Sequence, residues 1–333
     1  MAPGRWNLTA VPRLSIGLPV YNGENFLAES LDALLGQTYT DFELIISDNA
    51  STDSTKEICL SYASRDSRIR YFRQQQNIGI APNCNFVTQQ ARGEFFKAAS
   101  HDDLYARDLL RLCIAVLDEN PGVVLAHSWS ATLDTTGTVT GFVDYPADTG
   151  AARAPDRFRS MLFDGWTDDD GGVMRLDVLR KVSPHGSYHF ADRTFTAEIA
   201  LYGPFYMVPD WLFFRRCHPG QAGGQSSVRE RCARLDPRRA NRVTNPVARL
   251  YAEYILGYVK AIRRAPLTPS ERTECYTTLG HWMAGRATPV AVRALTRQGL
   301  QTTGQSSSSA RISVDDLAAK KGRVLGERAW IDG

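Results

Sequence analysis

Three short segments carry the side chains best suited to chemistry: Pro19-Val20-Tyr21-Asn22-Gly23-Glu24, Asp48-Asn49-Ala50-Ser51-Thr52-Asp53 and Ser100-His101-Asp102-Asp103. Two of the three are acidic. Carboxylates hold phosphate poorly by themselves, but they hold a hard divalent cation that can then hold phosphate. A carboxylate also accepts the imino N–H of a uracil or guanine ring. No glycine-rich dinucleotide turn follows the first apolar run and no Walker A sequence occurs in the 333 residues. The segments are therefore compatible with a nucleoside diphosphate bound through metal. Helix capping is the competing reading for Asp48 and Asp53, which stand just ahead of a helical pattern. It competes less at Asp102, because the next helix begins near Asp108.

These segments need a scaffold, and the first 130 residues supply one by alternating two periods. Apolar runs at Leu14–Leu18, Phe42–Ser47, Ile69–Phe72, Glu94–Ala98 and Val123–His127 read as buried strands. Between them, helical spacing covers Asn25–Leu35, a stretch to Tyr62 opened by a Ser54/Glu57 capping box, Pro82 to about Ala91, and Asp108–Glu119. Strand–helix alternation with short connections predicts an α/β fold with a mostly parallel sheet covered on both faces. In such a sheet ligands sit beyond the carboxyl ends of the strands, where the three segments fall.

Residues 134–172 are rich in Gly, Asp, Thr and Pro and read as long loops. Within and beside them, Asp168-Asp169-Asp170 before Gly171-Gly172 reads as a solvated turn. A helix is expected over Ala191–Leu201, ending at Gly203-Pro204, and then a strand over Phe205–Phe214. His185 and His189 are separated by Gly186 and Ser187, which spoils a helical zinc pair. From about Asn245 the chain turns helical: Val247, Leu250, Tyr251, Tyr254, Ile255, Tyr258, Val259 and Ile262 form an amphipathic stripe. Further helical segments follow Pro269 and Pro289, then a Gln301–Ser309 linker and a tail.

Composition bounds the rest. The chain is 43% hydrophobic and 23% charged, which supplies a sizeable core and argues against disorder. The net charge of +3 is too small to imply nucleic-acid binding, and no nucleic-acid motif is present. The charge is uneven, however. Arg215 to Arg297 holds 16 Lys and Arg against 5 Asp and Glu, which suits contact with an anionic surface or partner. Six cysteines without a CxxC pair exclude a zinc ribbon, and no apolar signal core or membrane-length run occurs. The cytoplasm is the expected compartment, with peripheral contact at the inner membrane face as an option.

The segment sequences resemble those of the family 2 glycosyltransferases. Pro19-Val20-Tyr21-Asn22, Asp48-Asn49-Ala50-Ser51-Thr52-Asp53, Asn77-Ile78-Gly79, Ala91-Arg92-Gly93-Glu94 and the acidic pair ahead of Leu104-Tyr105 occur in the family's order. The resemblance covers roughly residues 12–220. It implies a GT-A fold and inverting transfer of a sugar from a nucleoside-diphosphate-sugar donor to an acceptor hydroxyl. By the same resemblance, Pro19, Tyr21 and Glu24 line the nucleotide and Asp48 meets the base. Asn77, Gly79, His101 and Asp103 join the nucleotide site, and Asp102 holds Mg²⁺ or Mn²⁺. The family's Asp-x-Asp is altered, because Ser100 stands where the first aspartate is expected; His101 could serve as a substitute ligand. Phe190-Ala191-Asp192-Arg193 looks like the late acidic motif, making Asp192 the candidate base, with N-capping as its competitor. Arg215-Arg216-Cys217-His218 is similar to the family's Arg-x-His, so Arg216 would approach the diphosphate and His218 the metal.

The expected organisation is a nucleotide-sugar-binding half over 1–130, an acceptor-binding half over 131–225 and a basic helical extension over 226–333. The extension either docks its apolar stripe on the catalytic domain or lays Arg249, Lys260, Arg263 and Arg264 on anionic lipid. A lipid-linked acceptor would suit the second reading. Two alternatives stay open at this stage: a homologue that binds nucleotide-sugar without turnover, and a sugar nucleotidyltransferase, whose glycine-rich phosphate loop is missing here. Donor sugar, acceptor and oligomeric state are not legible.

Overall fold

The computed structural model describes residues 11–164, 171–221 and 227–287. Four strands, β1 (Leu14–Val20), β2 (Phe42–Asp48), β3 (Ile69–Arg73) and β4 (Phe95–Ala98), alternate with α1 (Leu27–Leu35), α2 (Thr55–Ala63) and α3 (Ile80–Gln90). They pair in parallel in the spatial order β3-β2-β1-β4. Every β2 residue is buried, and so is all of β1 but Pro19, because helices cover both faces; this is why the runs read as continuously apolar. Pro19 is tolerated on an interior strand because β4 ends before reaching it. The last β1–β4 register pair is Gly17 with Ala98.

The sheet continues past β4 in mixed fashion. β5 (Leu104–Tyr105), β6 (Leu125–Leu133), β7 (Val139–Val143), β8 (Val173–Arg175) and β9 (Phe205–Arg216) extend it as β4-β8-β6-β9-β5, with β7 on β6. β8 is antiparallel to both β4 and β6, and β9 is parallel to β6. The two reversals at β8 cancel, so β6 and β9 end at the same edge of the sheet as β1, β2, β3 and β4. The expected parallel arrangement holds for the first four strands, and the whole sheet is mixed α/β.

Three local expectations are corrected. Ser54 stands at the N-cap of α2, at φ −73° and ψ 7°, but does not cap it through its side chain. Asp53 takes the role instead, its Oδ1 accepting the Thr55 N–H at 3.1 Å. The 134–172 stretch is not only loop, since it folds β7 and α5 (Ala154–Phe163), with Phe158, Met161 and Leu162 buried at helical spacing. Helix α3 opens at Ile80, two residues before Pro82. The expected Asp168–Asp170 turn, the segment after Pro289 and the Gln301–Ser309 linker lie outside the described residues.

Helix α4 (Leu109–Glu119) packs on the sheet, and the short α6 (Leu176–Leu179) precedes α7 (Ala191–Tyr202). Then come α8 (Val228–Leu235), a 3₁₀ turn (Pro237–Ala240), α9 (Val247–Arg264) and α10 (Pro269–Ala287). The docking reading of the amphipathic stripe is the one observed. Leu250, Tyr254, Tyr258 and Ile262 are buried in one apolar cluster with Phe158 of α5, Ala197 and Leu201 of α7, and Trp282 of α10. The Trp282 indole donates to the Leu162 carbonyl at 2.8 Å, locking α10 to α5. Tertiary packing therefore takes up the buried part of the stripe, while Val247 and Tyr251 at its start, and Lys260 and Arg263, remain exposed. Among the described residues no helix is long and apolar enough to cross a membrane.

Candidate active site

The carboxyl edge gathers the loops after β1, β2, β3 and β4, together with the end of β9. The first two loops brace each other. Asn22 Oδ1 accepts the Thr52 N–H at 2.9 Å, and the Gly23 N–H donates to Thr55 Oγ1 at 2.8 Å. The Glu24 N–H donates to Asp53 Oδ2, and Glu24 Oε2 accepts the Ser54 N–H at 3.0 Å. Asp53 and Glu24 thus clamp the two loops together. Tyr21 is left 42% exposed at the rim, free of the packing that fixes its neighbours. Asn22 and Ala50 both adopt left-handed backbone, at φ 50° and 60°. For Ala50 that conformation costs about 1 kcal/mol or more, the kind of strain that concentrates at functional loops.

Asp48 closes β2 and is fully buried. Its Oδ1 accepts the Ser51 N–H at 2.8 Å, while Oδ2 accepts the Tyr71 hydroxyl at 2.9 Å and the Arg73 guanidinium. Burial and the Asp48 carboxylate together push the Tyr71 hydroxyl well above its ordinary pKa, so it stays protonated and donating. Arg73 also donates to the Ser51 carbonyl at 2.8 Å. Sequence reasoning missed Arg73, the last residue of β3, although an arginine at the end of a parallel strand is placed at the ligand edge.

Asn77 and Gly79 have a scaffolding geometry. Asn77 Oδ1 accepts the Gly79 N–H at 2.9 Å and the Asn49 amide at 3.0 Å. Gly79 has φ +91°, and a Cβ there would lie 2.5 Å from the Leu235 carbonyl and 2.8 Å from Asp236 Cα. The loop is thereby seated directly on the α8 end of the C-terminal helices. Gly79→Ala combines a strained φ with a backbone clash, a loss of about 3 kcal/mol. The expected fall in Tm is about 6–12 °C, measured by scanning calorimetry; a fall below about 2 °C would show that this seat is not tight.

The third loop meets the end of β9. β5 pairs with β9 through Leu104–Phe214 and Tyr105–Phe213, which draws Asp102 and Asp103 against the residues that follow Phe214. His218 Nε2 lies 3.0 Å from Asp102 Oδ2, and its ring packs 5.0 Å from that of Phe26. Asp103 is buried and its Oδ1 accepts the Arg216 N–H at 2.9 Å. His101 packs on the first loop, where a Cβ on Gly23 would come within 2.6 Å of its ring. Burial pushes the His101 pKa down, against the pull of the Asp102 carboxylate.

Arg216 corrects the expectation of a diphosphate contact. Its side chain is 1% exposed. Nε donates to the Asp102 carbonyl at 2.9 Å, Nη1 faces the Asp134 and Thr135 carbonyls, and Nη2 pairs with Glu29 at 2.6 Å. The guanidinium also stacks 4.6 Å over Phe26. Arg216 is a positioning residue that fixes the backbone of the Asp102 loop to α1 and β6.

Asp192 lies in the first turn of α7, half-buried, with Oδ1 accepting the Arg193 N–H at 2.9 Å. A helix joined to the next strand by only Gly203-Pro204 runs antiparallel to it, so the α7 N-terminus points toward the carboxyl edge. The N-cap residue is Phe190 rather than Asp192, and it is left-handed at φ 57°. The Asp192 carboxylate also raises the pKa of His185, which burial holds down.

This geometry can be set beside known proteins. Residues 15–152 match the sequence profile described as glycosyl transferase family 2. Over those residues the chain is similar to that family. An uncharacterised glycosyltransferase of Rickettsia typhi is 38% identical over 111 residues, 33% of this chain and 34% of that protein. Glycosyltransferase GlyG of Streptococcus pneumoniae is 30% identical over 118 residues, 35% of this chain and 39% of that protein. The aligned part thus spans well under half of these curated relatives. In fold, the chain is similar to residues 1–349 of Staphylococcus aureus TarS in complex with UDP-GlcNAc, with a TM-score of 0.62. That match has 19% identity and covers 86% of this chain and 77% of the other. The fold is of the GT-A type, as expected, and it places all three chemistry-bearing loops on one edge.

The residues at that edge fit a divalent cation in a limited way. Asp102 and His218 put a carboxylate oxygen and an imidazole nitrogen 3.0 Å apart. Among the described residues no group of three or more His, Cys, Asp or Glu is placed to hold a metal. Two protein ligands suffice where a diphosphate and waters complete the shell. The altered motif shows why the set is small: Ser100 contributes no carboxylate, and its backbone is pinned by Tyr105 and Ser30.

Proposed function

We propose that this protein transfers a sugar from a nucleoside-diphosphate-sugar donor to an acceptor hydroxyl by direct displacement with inversion. The observation that carries this reading is the Asp102–His218 pair, joined at the carboxyl edge by the braced loops at 21–24 and 48–54. The UDP-GlcNAc bound by TarS, a protein of similar fold, supports a nucleotide-sugar donor.

The buried Asp48 would accept the imino N–H of the base, with Arg73 able to turn from Asp48 toward the donor. Pro19, Tyr21 and Glu24 would form the wall of the nucleotide pocket. Asp102 and His218 would hold Mg²⁺ or Mn²⁺, which when bound neutralises charge on the departing diphosphate. Arg216 and Asp103 keep those two ligands in register through backbone contacts. Asp192 would take the acceptor hydroxyl's proton as the bond to the anomeric carbon forms, opposite a departing diphosphate and through an oxocarbenium-like transition state.

The test is thermal stabilisation against UDP-, GDP- and dTDP-sugars with and without Mn²⁺. One nucleotide series is expected to raise the Tm in a metal-dependent manner. Absence of any shift would reject the donor site. A shift without transfer to any acceptor would favour the non-catalytic alternative, which the missing carboxylate at Ser100 makes specific.

A further inference from the structure

Two adjoining cavities, of about 420 and 460 Å³, open between the first turn of α3, the 183–188 loop, the 3₁₀ turn and α9. They share Ser187, Asp236, Arg238 and Arg239 and so form one groove. Its charge is one-sided. Arg238, Arg239, Arg249, Lys260 and Arg264 line it against only two carboxylates, Asp236 and Glu253.

Those carboxylates lie beneath the cations rather than among them. Asp236 is 5% exposed and accepts the Arg238 guanidinium at 2.7 Å, while Arg238 itself is 83% exposed. Glu253 takes both Arg239 and Arg249, and Arg264 is backed by the buried Glu198. Each of these arginines is held by a carboxylate, and Arg238, Arg249 and Arg264 remain 83%, 55% and 43% exposed. Orientation in advance is what planar guanidinium recognition of phosphate needs. Lys260, about one turn after Leu256 of the same wall, adds an exposed ammonium.

The groove has a place relative to the candidate chemistry. His185 lines it and lies within electrostatic reach of Asp192. Its floor at Asp236 is the segment on which Gly79 of the nucleotide loop is seated. We propose that the groove binds the phosphate groups of a phosphate-bearing acceptor. This rests on the glycosyl-transfer reading for the word acceptor, but the phosphate site itself is testable without it.

Lys260→Glu/Arg238→Gln is compared with the parent full chain, using inorganic tripolyphosphate as the soluble probe. The lipid probe is vesicles of phosphatidylcholine with phosphatidylglycerol. The parent is expected to bind tripolyphosphate, and the double variant to bind it at least tenfold more weakly, with the nucleotide-sugar thermal shift unchanged. Parent that also pellets with anionic vesicles, and loses this in the variant, assigns the phosphate to a lipid headgroup. Tripolyphosphate binding without pelleting assigns it to a soluble acceptor. If the double variant is unfolded, Lys260→Gln is read instead, with a loss of about threefold. Equal tripolyphosphate affinity in parent and variant, or none in the parent, overturns the proposal. No nucleotide shift in the parent, beside an intact groove effect, would reject the donor reading alone.

Discussion

Asp102→Asn is expected to lower kcat by about 10³-fold or more while the protein stays folded. The substitution keeps the shape and the hydrogen-bonding capacity toward His218 Nε2, now 3.0 Å from Oδ2. What it removes is one negative charge at the point where a cation and the leaving diphosphate would meet. Charge stabilisation of this kind is commonly the largest single contribution to such a step, and removing one preorganised contact costs roughly 10²–10³. On the proposed reading only two protein ligands would hold the cation, so the loss should lie at or above the upper end. Stability should change little. The pair is partly accessible, with side chains 13% and 16% exposed, and the Asp102 carbonyl that Arg216 holds is untouched. The checks are steady-state turnover, Mn²⁺ dependence of the nucleotide thermal shift, and Tm. Turnover within tenfold of the parent, at an unchanged Tm, would reject Asp102 as the cation ligand.

The sequence made β1, β2 and β4 and the helices between them readable because these strands are buried on both faces, so apolar continuity and helical period alternate cleanly. Elements made by tertiary pairing left weaker traces. β5 is two residues long and exists because β9 pairs with it. β7 is a half-exposed outer strand of Val, Thr, Gly and Phe, whose composition looks like loop. α5 did carry a signal in Phe158, Met161 and Leu162, hidden by the polar residues around it.

The same distinction runs through the site. Asp48 and Asp102 stand out as candidates because loop position follows from strand order, and His218 stands out only through the family resemblance of Arg215-Arg216-Cys217-His218. The roles of Arg73 and Arg216 were harder to see, since a guanidinium is ordinarily exposed and nothing local marks one that is buried. Arg216 is almost wholly enclosed because it satisfies carbonyls from two chain segments and the Glu29 carboxylate from a third, a long-range fact. Ala50 and Phe190 take left-handed backbone without the Gly or Asn that would announce it. The capping-box spacing at Ser54 was real, yet Asp53 one residue earlier won the cap because it could also hold the Glu24 amide.

Asp192→Asn should separate catalysis from binding. If Asp192 takes the acceptor proton, the amide cannot, and kcat should fall by roughly 10²–10⁴. Donor affinity should remain that of the parent, because the loops that meet the nucleotide are braced among themselves and not to α7. The substitution is structurally conservative as well. The Arg193 N–H that Asp192 accepts at 2.9 Å can be accepted by an asparagine carbonyl, and α7 is anchored by Ala197, Ile199, Ala200 and Leu201 in its buried face. A capping role would give the opposite pattern: turnover per folded molecule preserved and Tm little changed, since asparagine caps a helix about as well as aspartate. The left-handed Phe190 just before this turn gives a reason to expect catalysis to win. Backbone strain is retained where it aims a side chain, and simple capping does not require it. Single-turnover transfer measured with saturating donor, beside the Tm of the variant, distinguishes the two. Turnover within threefold of the parent would remove Asp192 from the mechanism and leave the acceptor proton to another group at this edge.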